Sequence, residues 1–284
     1  MSQNQGITID KKHYSLQADC ENCFGLCCVA LPFAASADFA IDKEGGKPCS
    51  NLQEDFRCSI HKNLRQKGFQ GCTVFDCFGA GQKVSQVTFN GKDWREAPES
   101  AKQMYDAFSI MRQLHEMLWY LNEALSLKPA NTIHKEIKLA LEETERLTYL
   151  SPEFILEIDL IAHRSNINEL LLKTSELVRS DFGRQEKKSL GKQKTYSRGT
   201  DLIGAKLKGA DLSGANLRGA YMIATDLRNA DMRVADLIGA DFRDADIRGA
   251  NLTGSIFLTQ AQINAAKGDA ATKLPPLLIR PAHW

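Results

Sequence analysis

The sequence predicts a multidomain α+β protein, in which a cysteine-rich metal module and a helical bundle precede a short solenoid. Three observations lead to this prediction. Every cysteine of the 284-residue chain lies between residues 20 and 77. Apolar residues recur at helical spacing between residues 94 and 182, and from residue 201 to residue 258 the chain repeats every five residues. The predicted parts are 1–90 (cysteine-rich module), 91–182 (helical bundle), 183–198 (basic linker), 199–260 (solenoid) and 261–284 (cap and tail).

The eight cysteines follow the spacing C-x2-C-x3-C-C, a single cysteine, C-x2-H and C-x4-C. Thiolates this closely spaced can converge on a metal ion, and the imidazole of the C-x2-H segment is a further candidate ligand. The adjacent pair Cys27 and Cys28 is hard to fit around one ion, because neighbouring side chains diverge, so two ions or a polynuclear cluster are indicated. The candidate metal ligands are Cys20, Cys23, Cys27, Cys28, Cys49, Cys58, His61, Cys72 and Cys77.

The cysteine pattern from Asp19 to Phe78 resembles the family of zinc- or iron-chelating cluster proteins defined by CxxCxxxCC. The resemblance implies a bound zinc or iron, including an iron–sulfur cluster, and leaves the choice between them open. The competing interpretation is a set of buried structural cysteines without metal, which the density of eight thiols in 58 residues disfavours. Some members of that family are associated with methyl transfer to protein lysines, a reaction that the cysteines themselves do not predict.

The middle of the chain carries four apolar stripes that predict helices of an antiparallel bundle. The first runs from Ala101 to Leu125 behind Pro98, and the second from Ile133 to Thr148. The third helix begins at Ser151-Pro152-Glu153, where a cap, a first-turn proline and a first-turn acid stand in order. The fourth stripe runs from Ile167 to Val178.

Two motifs in this region come close to known functional patterns and depart from both. His115-Glu116 begins an H-E-x-x-H pattern, but the fifth residue is Trp119, so we expect His115 to flank the apolar stripe as an ordinary polar residue. Gly79–Lys83 is glycine-rich but lacks the spacing of a phosphate-binding loop, and we expect it to be a flexible exit from the cysteine-rich module. The sequence therefore predicts no catalytic residues.

The C-terminal third carries a large apolar residue every five positions, with a small residue two positions before each. A period of five matches neither the 3.6-residue helix nor the two-residue strand alternation. It predicts a solenoid in which the large side chains stack along the axis and the small ones let the corners close. The large residues are Leu202, Leu207, Leu212, Leu217, Met222, Leu227, Met232, Leu237, Phe242, Ile247, Leu252 and Phe257.

These twelve units resemble the pentapeptide-repeat family, whose motif is A(D/N)LxX. The resemblance implies a short right-handed quadrilateral β-helix with four units in each coil, so three coils rising about 15 Å in total. Because the end of a solenoid must be covered, we expect a short helix around Ala261–Ala266 to cap it and Gly268 to stop that helix.

Charge and composition narrow the functional classes. The formal charge is +1, the first residues are polar without the apolar core of a signal peptide, and no apolar stretch is long enough to span a bilayer, so we expect a cytoplasmic protein of bacterial type. Residues 200–258 contain eight acidic and seven basic residues, and we expect neighbouring Asp and Arg to neutralise each other. The basic linker has few aromatics to stack bases, so nucleic acid is not an expected partner.

The predicted function is a metal-binding scaffold for protein partners, or a redox or metal sensor, with the solenoid as recognition surface. Ile203, Ile223, Ile238 and Tyr221 are the candidate contact residues on that surface. One alternative is an enzyme whose zinc or iron–sulfur module supports group transfer, such as methylation, on a protein substrate. A second is a DNA mimic that protects gyrase, which the balanced charge disfavours. Whether the chain forms a homodimer through Phe257, Leu258 and Trp284 is left open by the sequence.

Overall fold

A computed structural model describes residues 16–186 and 199–284 and divides into two compact units. The first unit contains the described residues up to Gly68 together with Cys77–Asn122 and Lys138–Ile167. The second contains Phe69–Asp76, Glu123–Ile137 and the described residues from Asn168 to Trp284. Most of the predicted basic linker, residues 187–198, lies outside the described residues.

Helices dominate the described residues before the repeats. Long helices follow the first, second and fourth apolar stripes, and a short one begins at the proline after Ser151. The α-helices are α1 (Leu26–Val29), α2 (Gln70–Thr73), α3 (Ala80–Gln82), α4 (Ala101–Ser126), α5 (His134–Leu147), α6 (Pro152–Leu156), α7 (Leu160–Gln185) and α8 (Gln260–Ala265). Turns of 3-10 helix span Cys20–Asn22, His61–Asn63, Pro98–Ser100 and Lys128–Ile133.

The first stripe forms the apolar face of α4, where Met104, Phe108, Met111, Leu114 and Leu121 are almost completely buried. Burying such a face supplies most of the stability of a helix in a protein. The start of α6 differs from the expectation that Ser151 caps this helix. The Ser151 hydroxyl makes no capping bond to the backbone and donates instead to the Glu153 carboxylate at 2.7 Å.

The cysteine-rich part of the first unit has little regular structure besides α1 and two antiparallel bridges. One bridge pairs Phe33 with Lys43, and the other pairs Leu52 with Cys58. The ammonium of Lys43 is buried and donates to the carbonyls of Val29 and Glu44 at 3.0 and 2.9 Å. Because each bond fixes the chain at a loop, these contacts hold the segments between the cysteines in place.

The segment Gly79–Lys83 is helical, so the expectation of a flexible exit is wrong. Gly79 has φ +79°, a conformation that glycine adopts without steric cost, and α3 begins directly after it. The helix then widens into a π-helix at Lys83–Thr88. Such π turns are rare and are often found at functional sites.

In the second unit the repeats pair in parallel at a constant separation. Bridges join residues twenty positions apart, from Asp201 with Tyr221 to Asp236 with Ile256, so the chain returns to the same side after four units. Within the described residues this pairing consists of isolated bridges rather than longer strands. Eleven of the twelve large residues are buried, the exception being Leu207, which is half-buried.

The end of the repeats is covered as the sequence predicts, by a helix at residues 260–265. Thr259 and Gln262 form a capping box at the start of α8, and the Gln262 amide also donates to the carbonyls of Leu237 and Ala240 at 2.8 and 2.9 Å. The carbonyl of Leu237 also accepts from the N–H of Ala240 at 3.1 Å, whereas Gln262 gives the carbonyl of Ala240 the bond that a further coil would otherwise make. Phe257 and Leu258 are both buried within the chain.

Candidate metal centre

Seven of the nine predicted ligands are cysteines of the first unit, and all eight cysteines of the chain are free thiols. Cys20 starts a 3-10 turn, Cys27 and Cys28 lie in α1, and Cys77 precedes α3. Cys72 lies in α2 and belongs to the second unit. His61 is exposed at the start of a 3-10 turn, and its backbone N–H donates to the carbonyl of Cys58 at 3.2 Å.

The thiols of the first unit gather around Cys27. Its sulfur is 3.8 Å from the sulfur of Cys28, within hydrogen-bonding distance. Negative charge on Cys27 would raise the pKa values of Cys20, Cys23 and Cys58, which places those three thiols within electrostatic range of it. Charges on Cys77 and Cys49 act in the same way, the first on Cys20 and Cys23 and the second on Cys58.

The backbone also draws these segments together. The N–H of Cys49 donates to the carbonyl of Cys28 at 2.9 Å, which joins the middle loop to α1. The guanidinium of Arg57 donates to the carbonyls of Cys20 and Glu21, which joins the next loop to the first cysteine. Seven thiols from four separate stretches of chain therefore share one region of the first unit.

Without a cation, burial favours the protonated form of several of these thiols. Burial, with smaller contributions from charge on Cys27 and Cys77, raises the pKa of Cys23 to about 12. The bond with Cys28, followed by burial, raises the pKa of Cys27 well above its usual value. Burial likewise raises the pKa of Cys20 and of Cys58. A bound metal ion reverses this balance, because its positive charge stabilises the thiolate form.

The residues present fit a thiolate-bound metal in their donor chemistry and in the space around them. A Cβ on Gly81 would lie 2.7 Å from the sulfur of Cys23 and 3.9 Å from that of Cys77, so only glycine at the start of α3 leaves room for these thiols. Sulfur donors of this number suit zinc or iron. As arranged in residues 16–186 and 199–284, no three His, Cys, Asp or Glu side chains form a ready metal-ion site.

Lys43 is a functional candidate that no motif in the sequence indicated. Burial lowers its pKa, whereas negative charge on Cys49, Cys28 and Cys27 would raise it, so its amine lies near the same sulfurs. Lys43 and Cys49 both line a cavity of about 920 Å³. A cation in this position would offset part of the charge of a thiolate cluster.

The surface of the repeats is electrically balanced by short pairs inside single units. Arg228, Arg233, Arg243 and Arg248 each reach the aspartate two positions earlier, at 2.6–2.8 Å. On the exposed face the neutralisation thus forms within a unit, and Arg228 also approaches Asp246 of the next coil at 3.8 Å.

Two of the four candidate contact residues on the repeats are well exposed. Ile203 is 56% exposed and Tyr221 is 52% exposed, whereas Ile223 and Ile238 are half-buried. The exposed part of the predicted recognition surface is therefore the part around Ile203 and Tyr221. None of the helices in the described part of the chain is both long and apolar enough to cross a membrane.

Comparison with known proteins identifies the repeats and one relative of nearly full length. Residues 198–233 and 222–257 match the family Pentapeptide repeats, with eight copies. The uncharacterized protein YybG of Bacillus subtilis (strain 168) is 67% identical over 275 residues, which are 97% of this chain and 97% of that protein. A pentapeptide repeat protein from the thylakoid lumen of Arabidopsis thaliana, solved at 1.7 Å, is 22% identical over 30% of this chain and 70% of its own, with a TM-score of 0.13.

Proposed function

Because this chain belongs to the same family as the Bacillus subtilis protein YybG and carries pentapeptide repeats, we propose that it is a metal-binding repeat protein. In this proposal it acts as a scaffold for a protein partner, or as a sensor of metal or redox state. The observation that carries the proposal is that seven cysteines of the first unit lie near one another, with Cys27 in contact with Cys28 and within electrostatic range of Cys20, Cys23 and Cys58.

The thiols that would hold the metal are those of the first unit, and the predicted ligands Cys72 and His61 remain candidates. Zinc would supply a rigid structural link between the cysteine-bearing loops, and an iron–sulfur cluster would add a redox response. The chain's own contribution is to place the sulfurs by the bonds of Arg57, Cys49 and Lys43 and to bury Cys49. Free thiols in this number suit a reducing compartment, which supports a cytoplasmic location.

For the repeats we propose a right-handed quadrilateral β-helix that serves as the recognition surface. The parallel bridges at a separation of twenty residues support four units in each coil. The balanced Asp–Arg pairs support a protein partner rather than a nucleic acid, because no strong field of one sign is present on this face. Ile203 and Tyr221 are the exposed contacts that such a partner would cover.

Replacing Gly81 with alanine tests the metal centre without removing a thiol. The new Cβ would lie 2.7 Å from the sulfur of Cys23, so we expect Gly81→Ala to purify with less than half of the wild-type metal. The matched control is Gly183→Ala, because Gly183 in α7 has nothing within 4 Å of the added atom. The proposal fails if Gly81→Ala retains wild-type metal content, or if both variants lose metal equally.

A further inference from the structure

A second cavity lies in the first unit beside the π-helix, and its wall includes Asp19 and Asn22, the chain neighbours of Cys20 and Cys23. Its volume is about 410 Å³, which is within the range of small-molecule sites. The wall combines three kinds of side chain: an amine and an imidazole, two carboxylates, and several apolar groups. Its main residues are Lys83, His115, Tyr149, Asp19, Glu145, Leu16, Val87 and Leu118.

The π-helix holds Lys83 at the wall of this cavity on a fixed backbone. Gln82 and Ser85 accept hydrogen bonds from the backbone N–H groups of Asp19 and Phe24 at 3.1 and 3.0 Å, and the Gln86 amide donates to the carbonyl of Asn22 at 3.0 Å. Three side chains of one short helical segment are therefore bound to the first cysteine loop. The backbone that carries Lys83 is fixed from that side.

The amine of Lys83 is held over an aromatic ring. Its nitrogen lies 3.0 Å from the centre of the Tyr149 ring. Burial lowers the pKa of Lys83 to about 8, against the opposing effect of the negative charge on Glu145. With this pKa about a tenth of the amine is neutral at pH 7, far more than for a lysine of reference pKa about 10.4, and the neutral amine is the nucleophilic form.

His115 is buried instead of flanking the stripe, and it is neutral. Its Nδ1 lies 2.7 Å from the carbonyl oxygen of Phe78, and since a carbonyl only accepts, Nδ1 carries the proton. The other ring nitrogen, Nε2, then has a lone pair that can accept a proton. Burial lowers the pKa of His115 to about 4, so the ring does not repel the ammonium form of Lys83.

We propose that this cavity binds a small neutral carbonyl compound with a short apolar tail, and that Lys83 forms an imine with it. Leu16, Val87 and Leu118 suit the tail. The carboxylates of Asp19 and Glu145 line the same wall and disfavour an anionic ligand, which selects an aldehyde or ketone over a carboxylate or phosphate.

The step balances without an oxidant or a reductant. The lone pair of the Lys83 nitrogen attacks the carbonyl carbon, and a C–N bond forms as the C=O π bond opens. Nε2 of His115 relays one proton from this nitrogen to the alkoxide oxygen, which gives the hydroxyl of the carbinolamine, and then a second proton from the nitrogen to that hydroxyl. That hydroxyl leaves as water, and the C=N bond of the imine remains.

Trapping with propanal and sodium cyanoborohydride at pH 7, on the full-length protein, tests the site. The reductant converts an imine into a stable propyl-amine, which peptide mapping by mass spectrometry locates. We expect Lys83 to be labelled at least about tenfold faster than Lys138, whose side chain is 69% exposed. An α-amino group, with a reference pKa of about 7.7–8.0, reacts as well, so the label must be read peptide by peptide.

Two variants separate this site from the metal centre and from simple exposure. Lys83→Arg keeps the positive charge but cannot form an imine, and we expect it to lose the label at this position while its metal content stays that of the wild type. His115→Gln should slow labelling of Lys83 several-fold. Labelling of Lys83 no faster than that of Lys138 in the wild-type protein would overturn the proposal, whatever the variants do.

Discussion

Four residues of the repeats hold a backbone conformation that glycine holds in the neighbouring units. Ala224, Asn229, Val234 and Asp244 have φ between +53° and +58°. The equivalent residues of most other units are glycines, also with positive φ. Asn and Asp tolerate this left-handed region, whereas a β-branched residue is strained there. The strain is therefore greatest at Val234.

Replacing Val234 with glycine should relieve that strain. We expect Val234→Gly to raise the free energy of unfolding by about 0.5–1 kcal/mol, because the relief exceeds the entropy cost of a glycine. The matched control is Gly204→Ala, at φ +62° with nothing within 4 Å of the added atom, which should lower stability by about 1 kcal/mol. Urea unfolding measures both changes, and equal signs for the two variants would contradict the account.

At this scale the sequence predicts the repeat better than it predicts the sites. The period of five predicts that large residues stack and that small residues lie at the corners, because equivalent residues of every unit have the same environment. The recurring glycines also indicate a corner with positive φ, because glycine adopts that conformation without steric cost. Lys43, Lys83 and His115 could not be selected, since the groups that surround each of them come from distant parts of the chain.

Among the helices, α4 carries a carboxyl group into the core of the second unit. Glu123 is half-buried and accepts a hydrogen bond from the backbone N–H of Phe257 at 2.9 Å. Burial raises its pKa to about 8, and the charge of Asp236 acts in the same direction. The protonated carboxyl is the form that this environment stabilises.

The protein should consequently lose stability as the pH rises. The pKa of Glu123 is raised in the folded chain. Its contribution to the free energy of unfolding is therefore complete below its pKa in the unfolded chain, about 4.3, and is lost as the pH rises towards 8. We expect the free energy of unfolding to fall by roughly 3 kcal/mol between pH 5 and pH 8 from this group. Glu123→Gln should remove this pH dependence. Glu142→Gln, at an exposed position, should keep it. A steep fall of stability with pH in Glu123→Gln would contradict the assignment to Glu123.

Helix α7 is hydrogen-bonded through Asn168 to a buried ion pair of the repeats within the second unit. Arg218 contacts Asp236 at 2.9 Å, with side chains only 4% and 0% exposed, and donates to the Asn168 amide oxygen at 2.8 Å. Removing one partner of such a pair leaves the other charge buried and unpaired. The pair is thus a structural element of the second unit, unlike the exposed pairs on the same repeats.

The two classes of pair should differ sharply in stability measurements. We expect Arg218→Ala to lower the free energy of unfolding by about 3–5 kcal/mol, because it leaves the carboxylate of Asp236 buried without its partner. The matched control is Arg243→Ala. The side chain of Arg243, which pairs with Asp241, is 58% exposed, and its loss should lower the free energy of unfolding by less than about 1 kcal/mol. Similar losses in chemical denaturation of the two variants would show that burial does not decide the effect.

At the scale of elements the apolar stripes predicted where the long helices lie, because a buried face imposes its period on the sequence. The π-helix at Lys83–Thr88 could not be predicted in the same way. Its geometry depends on hydrogen bonds that join Gln82, Ser85 and Gln86 to the first cysteine loop, about sixty positions away. Gln82 and Ser85 accept these bonds, and Gln86 donates. Non-local contacts of this kind leave no period in the chain.

For the whole molecule, compact units do not follow chain order. Phe69–Asp76 comes from the cysteine-rich stretch but belongs to the second unit. There α2 meets α8, and the Asn264 amide donates to the carbonyl of Thr73 at 2.9 Å across 191 positions. No local pattern in the sequence signals such a contact, and so the placement of Cys72 apart from the other seven cysteines could not be predicted.

The central claim is that the gathered thiols bind metal, and the metal content of the full-length protein purified without oxygen tests it most directly. Metal analysis, an assay for acid-labile sulfide and a visible absorption spectrum would be recorded on the same sample. We predict either iron with labile sulfide and a broad visible band, or bound zinc in a colourless protein. A protein that folds and retains eight titratable thiols but contains neither iron nor zinc would contradict the account.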